Sequence, residues 1–263
     1  MSTTRPAASL LLLRDCASGP QILLTRRAGS MRNWADNWVF PGGRTEAFDC
    51  DPGTPQDDTP SAKCTAVRET FEETGALLAK HAHLPARSAS LGALRAAPSE
   101  QFYSTLAQQG FTLALQDIVP WSHWIPPLEV PNRFDTQFFL GGLHADDALE
   151  ADGRETLELA WWTPAAAAGA ALENELRCAP PTIMNLLELR QLATHAASAQ
   201  QLLQLARGRE FVTIFPRVIM DQGERWALYP WDAQYAALPP GGTLPYIPQR
   251  YQELPSRLRL RVG

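Results

Sequence analysis

Apolar positions first gather in an unbroken run. Residues 6–14 (Pro-Ala-Ala-Ser-Leu-Leu-Leu-Leu-Arg) predict a buried strand, residues 17–20 a turn, and residues 21–26 its hairpin partner. A polar stretch over residues 27–36 predicts a loop. Asn37-Trp38-Val39-Phe40 then reads as a short apolar strand ending in Pro41-Gly42-Gly43, where two glycines permit close approach of another group. Residues 44–60, with Asp49, Asp51, Asp57 and Asp58 among prolines and a glycine, read as an acidic surface loop. Thr59-Pro60 resembles a helix start, with Thr59 as N-cap; the helix should run to about Thr74 with Gly75 at its end, and Val67, Phe71, Thr74 and Leu78 keep helical spacing.

Further along, residues 81–118 are mixed, with a helix over about 99–109. His81 and His83 fall in a polar run and read as solvent-exposed. Residues 133–140 alternate Phe134, Thr136 and Phe138 against Arg133, Asp135 and Gln137, the period of a strand, and a plain amphipathic edge strand would look the same. His123 reads as packed beside Trp121 and Trp124. An acidic loop (Asp146, Asp147, Glu150, Asp152) precedes a strand over residues 157–163. Pro164 opens an alanine-rich helix, residues 182–206 keep helical period, and residues 211–231 predict aromatic, proline-rich strands and turns. No internal repeat stands out.

The chemistry concentrates in Arg68-Glu69-Thr70-Phe71-Glu72-Glu73-Thr74-Gly75. On a helix, Glu69, Glu72 and Glu73 stand at i, i+3 and i+4, so three carboxylates crowd one face while Val67 and Phe71 anchor the other. Like charges at that spacing repel. A hard divalent cation with oxygen ligands, Mg²⁺ or Mn²⁺, would relieve them. The bland alternative is a solvated acidic face with an Arg68–Glu72 surface pair, worth little.

With the upstream Gly43, this stretch resembles the Nudix box, G-x5-E-x7-R-E-U-x-E-E-x-G-U with U aliphatic. Gly43, Arg68, Glu69, Glu72, Glu73 and Gly75 match, and Ala76 is a weak final U. Thr70 stands where an aliphatic residue is usual. Arg68 follows Gly43 by 25 residues, eleven more than in the pattern, and counting back eight from Arg68 puts the first glutamate on Pro60. The resemblance implies an α/β (α+β) Nudix fold, a mixed β-sheet sandwiched between helices. A Nudix hydrolase domain would span residues 1–175, with insertions near 44–60 and 81–118. Residues 176–263 would form a C-terminal extension packed on it. It further implies Glu69, Glu72 and Glu73 as metal ligands, joined by a main-chain carbonyl at Gly43, with metal-activated water attacking phosphorus and Arg68 orienting a carboxylate. Glu155 or Glu158 could supply an extra carboxylate, although a surface role suits either.

Substrate is read from smaller blocks. Leu23-Leu24-Thr25-Arg26-Arg27, Trp38 to Gly43, the interrupted box and Arg133-Phe134-Asp135-Thr136 resemble the coenzyme A diphosphatase branch. That implies cleavage of CoA or acyl-CoA to 3′,5′-ADP and (acyl)phosphopantetheine. Arg133 is a candidate phosphate contact because guanidinium binds phosphate bidentately, and Arg26 is the second substrate-binding candidate. ADP-ribose or a dinucleotide as substrate, or a non-catalytic Nudix-fold binding module, stay open.

A net charge of −5 over 263 residues argues against a nucleic-acid or membrane-surface binder. The four cysteines lack metal spacing and read as free thiols in a reducing compartment. Four leucines are too few for a signal-peptide core, and a cytoplasmic protein is the expectation. A homodimer fits the family, but no interface is legible.

Overall fold

The leucine run becomes the middle of the structure. A computed structural model describes residues 4–31, 34–50, 58–81, 91–130, 132–143, 148–238 and 246–260. Strand β1 (Arg5–Cys16) turns through Gly19, whose φ of +106° suits glycine, into β2 (Gly19–Arg27). β3 (Trp38–Val39) and β4 (Gly42–Arg44) follow, then helix α1 (Asp58–Thr74). The region after α1 supplies β5 (Ala79–His81), α2 (Gly92–Ala96), α3 (Phe102–Gln108) and β6 (Phe111–Leu113). β7 (Val119–Trp124), β8 (Phe134–Gly142) and β9 (Thr156–Trp162) complete most of the main sheet. Helices α4 (Pro164–Glu173), α5 (Pro180–Ala193) and α6 (Ala199–Arg207) come next. The chain closes with β10 (Thr213–Ile214), β11 (Arg217–Asp221), β12 (Glu224–Leu228) and β13 (Arg257–Arg259).

The main sheet is mixed and eight-stranded, in the order β10-β7-β8-β1-β2-β3, with β4 on β1 and β9 on β2. β1 runs parallel to β8, whereas its pairings with β2 and β4 are antiparallel. Successive strand residues face opposite layers. Accordingly Ala8, Leu10 and Leu12 pack with Val67 and Phe71 of α1 and with α3, while Leu11 and Leu13 pack with α4, α5 and α6. A strand covered on both faces has no use for polar alternation, which explains the leucine run. Burial of Phe71 and Val67 (both 0% exposed) contributes about 2 kcal/mol each to seating α1 on the sheet. The sandwich of helices around a mixed sheet is the expected architecture.

Some local expectations change. α1 starts at Asp58, so Thr59 lies within the helix instead of capping it; Gly75 (φ +78°) does end it. β8 is an internal strand between β7 and β1, not an edge. His81 is half-buried, its ring edge-on to Phe111 and its Nε2 3.0 Å from the Gln109 carbonyl. Asp51, Asp57, His83, Asp146 and Asp147 lie outside the described residues. Residues beyond 208 enter the same core as β1: Tyr229, Tyr251 and Leu254 are buried with Leu11 and Leu13. Among the described residues, no helix is long and apolar enough to cross a membrane.

Candidate functional site

The carboxylate face of α1 is organised by a buried ion pair. Arg68, 2% exposed, donates Nε to Asp49 Oδ1 at 2.7 Å and Nη2 to Oδ2 at 2.9 Å, a two-pronged grip. Asp49 is fully buried and also accepts from the Tyr103 hydroxyl (2.7 Å), the Thr65 hydroxyl (2.9 Å) and the Glu46 amide (2.8 Å). A buried charge is tolerable only when so fully satisfied. The other prong of Arg68 reaches Glu72 Oε2 at 2.8 Å, and Nη2 lies 3.0 Å from Glu69 Oε1. Burial works against the guanidinium charge, but Asp49, Glu69 and Glu72 more than offset it and hold its pKa above the ordinary value.

Asp49 supplies the acidic position that counting back from Arg68 loses. Counting forward from Gly43, the acid of G-x5-E falls on Asp49, with the inserted residues after it. Read in that direction, the signal was in the sequence. The shorter side chain still reaches Arg68 because residues 44–50 fold back against α1, with the Arg68 Nη2 also donating to the Arg44 carbonyl at 3.1 Å.

Glu69 and Glu73 face the paired glycines. The Gly42 amide donates to Glu73 Oε2 at 3.3 Å, and a Cβ on Gly43 would stand 2.4 Å from the Glu69 carboxyl carbon. Only a residue without a side chain lets β4 approach α1 this closely. Gly42 is equally constrained, because its Cβ would lie 2.3 Å from the Ala8 carbonyl oxygen. Burial raises Glu69 to about 7, with Arg68 opposing and Glu72 adding to the rise. Burial also pushes Glu73 well above the usual carboxylate range, helped by the Glu69 charge and opposed by Arg27. Both shifts favour the protonated forms, and a countercharge arriving between the two carboxylates would reverse that.

The expected cluster of three carboxylates is thus divided. Glu72 turns to Arg68, and among the described residues no three Asp, Glu, His or Cys side chains converge as an ion shell requires. What does fit a hard cation is the donor chemistry of Glu69 and Glu73: oxygen-only and mutually repelling, with Glu73 buried and Glu69 partly so.

The two arginines singled out as substrate contacts are engaged elsewhere. Arg133 is 6% exposed and donates Nε and Nη2 to the Pro126 carbonyl at 3.1 and 2.8 Å, which ties down the Pro126-Pro127 turn. Arg26 pairs with Glu158 at 2.9 Å and lies 3.7 Å from Asp36. Its neighbour Arg27 is the basic residue whose charge reaches Glu73. A register shift separates the two on β2, and sequence pattern offers no way to choose between adjacent arginines. Of the two glutamates near β9, Glu155 is the one felt at Glu73, and the Asp152 amide donates to the Glu73 carbonyl at 3.1 Å.

The family model described as the NUDT19 Nudix domain matches residues 53–189, just over half of the chain. The chain belongs to the Nudix family. Among curated proteins, this Nudix chain is 27% identical to "Putative nudix hydrolase 7" of Caenorhabditis elegans over 192 residues, 73% of this chain and 62% of that protein. It is 29% identical to human "Acyl-coenzyme A diphosphatase NUDT19" over 161 residues, 55% of this chain and 42% of the relative. The chain thus spans less than two thirds of the length of these relatives. A crystal structure of a NUDIX hydrolase from Alicyclobacillus acidocaldarius superposes with a TM-score of 0.63 at 25% identity, covering 78% of this chain and 97% of the other.

Proposed function

We propose that this Nudix chain is a divalent-cation-dependent diphosphatase that splits the phosphoanhydride of CoA or acyl-CoA into 3′,5′-ADP and (acyl)phosphopantetheine. The observation that carries the reading is the buried Glu69–Glu73 pair, held against Gly42-Gly43 by a helix that the Arg68–Asp49 grip locks in place. Two acyl-coenzyme A diphosphatases among the relatives, from Xenopus laevis (28% identical) and human (29% identical), support the choice of substrate.

Glu69 and Glu73 would hold the cation, with Glu72 and the main chain at Gly43 beside them. When bound, the ion supplies charge neutralisation on the diphosphate and an acidified water. The remaining work belongs to the chain. Arg68 fixes the rotamers of Glu69 and Glu72, and the glycines let the strand come within reach of α1. In the reaction a water oxygen bonds to one phosphorus, the bridging P–O bond breaks, and the water's proton passes to a carboxylate. Glu155, on the loop whose Asp152 amide donates to the Glu73 carbonyl, would be that acceptor, a role supported by its charge being felt at Glu73.

The deciding experiment incubates purified protein with CoA, acyl-CoA, ADP-ribose and a dinucleoside polyphosphate, each with Mg²⁺ or Mn²⁺, and identifies the products by mass. Formation of 3′,5′-ADP from CoA or its esters is expected. AMP from ADP-ribose without CoA turnover would replace the substrate, and no turnover of any diphosphate would favour a binding module.

A further inference from the structure

A second concentration of charge lies elsewhere and has the opposite sign. A cavity of about 340 Å³ opens where β7 begins, between α1 on one layer and α6 on the other. Lys63 from α1, Arg207 at the end of α6, and Arg209 line it, over an apolar floor that includes Ile118 and Pro120. Lys63 Nζ donates to the Leu115 carbonyl at 3.1 Å, and both terminal nitrogens of Arg207 lie 3.3 Å from the Gln116 carbonyl. Among the described residues, neither cation has a carboxylate partner. Arg209 shares Glu188 with Arg250, at 2.6 and 2.8 Å, so one carboxylate serves two guanidinium groups. Among the described residues, positive charge is therefore in surplus here, on a chain whose net charge is −5. Burial and the nearby Arg207 charge both push the Lys63 ammonium pKa down.

The rim adds a flat aromatic. Phe211 lines the cavity and is 44% exposed; one face lies parallel to the His123 ring, with centroids 6.2 Å apart. The strand edge beside it is open as well, since β10 pairs with β7 only at His123 and Trp124, and Pro120 has no amide to offer a further strand. Unneutralised cations next to an exposed ring are the recognition elements for a phosphate joined to a base.

We propose that this cleft binds a nucleoside monophosphate, its phosphate between Lys63 and Arg207 and its base on Phe211. The site is separate from the carboxylate pair: Lys63 precedes Glu69 by six residues, about 9 Å along the helix axis and about 120° around it. The proposal therefore stands apart from the diphosphatase reading.

Calorimetric titration of the full chain with AMP and with inorganic phosphate, in EDTA at low salt, tests the site. AMP is expected to bind. Arg207→Glu should weaken it at least about tenfold by removing charge-assisted hydrogen bonds. Phe211→Ala should weaken AMP severalfold while leaving inorganic phosphate unchanged, and Glu73→Gln should leave AMP affinity as it was. Absence of AMP binding at millimolar concentration overturns the proposal, as does affinity indifferent to Arg207→Glu or to Phe211→Ala. AMP binding that disappears in Glu73→Gln would place the ligand at the carboxylates and overturn it too, whereas loss of CoA turnover alone would touch only the diphosphatase reading.

Discussion

Glu73 and Asp49 are both buried acids on the same side of α1, yet they answer to opposite rules. Asp49 accepts from five donors, two of them on Arg68. Replacing it by Asn removes the fully buried, two-pronged partner of Arg68 and leaves only the more exposed Glu69 and Glu72, and a loss of about 3 kcal/mol in urea unfolding is expected. Among the described residues, the Glu73 carboxylate has the long Gly42 contact and the Arg27 field to set against its burial. Glu73→Gln should cut turnover about 100-fold or more while far-UV circular dichroism stays native. In metal-free buffer at pH 8 the same variant should melt above the wild type, because glutamine removes a charge the fold resists. A lower melting midpoint would mean that Glu73 serves packing instead.

At the level of elements, the approach of β4 to α1 separates two neighbouring glycines. A methyl group at Gly43 meets the end of a flexible side chain, so Gly43→Ala should fold normally, displace the Glu69 carboxylate and weaken Mg²⁺ affinity about 10- to 100-fold, read by calorimetry. At Gly42 the methyl meets backbone, and Gly42→Ala should cost about 1–3 kcal/mol in thermal unfolding. The α1 carboxylates also set a pH dependence. Glu69 keeps its proton to about pH 7 when folded but loses it near 4.5 when unfolded. The unfolded chain thus binds fewer protons between those values, and this group's stability is present below about 4.5 and lost as pH rises to 7. The loss is about 3 kcal/mol for Glu69. Metal-free wild type should therefore fall behind Glu69→Gln in melting midpoint as pH increases through that window, and saturating Mg²⁺ should narrow the gap. A constant difference across pH would sink this account.

For the molecule as a whole, the C-terminal third is structural to the sheet it covers. Tyr229, Tyr251 and Leu254 are buried against the face of β1 that carries Leu11 and Leu13, and each contributes about 2 kcal/mol or more. Their sum is comparable to the net stability of a domain, about 5–15 kcal/mol. A chain ending at Arg207 should elute as aggregate in size-exclusion chromatography and be digested rapidly by protease. A monomeric, protease-resistant product would show that residues 1–207 fold alone.

The sequence by itself determined what is local or periodic. The buried β1, the β1–β2 turn, the extent of α1 to Gly75, and the placing of Glu69, Glu72 and Glu73 on one side of a helix all follow from side-chain spacing and backbone preference. Tertiary structure alone decided which neighbours those carboxylates meet, because a helix face spans more than one: Glu69 and Glu73 lie against β4, while Arg68 pairs with Glu72 and also reaches Glu69. It also brought the charge of Arg27 to bear on Glu73, paired Arg26 with Glu158 and turned Arg133 inward. Asp49 stood in the sequence throughout, but an insertion of variable length hides distance in space, and only the folded chain showed that nineteen residues of separation close to 2.7 Å.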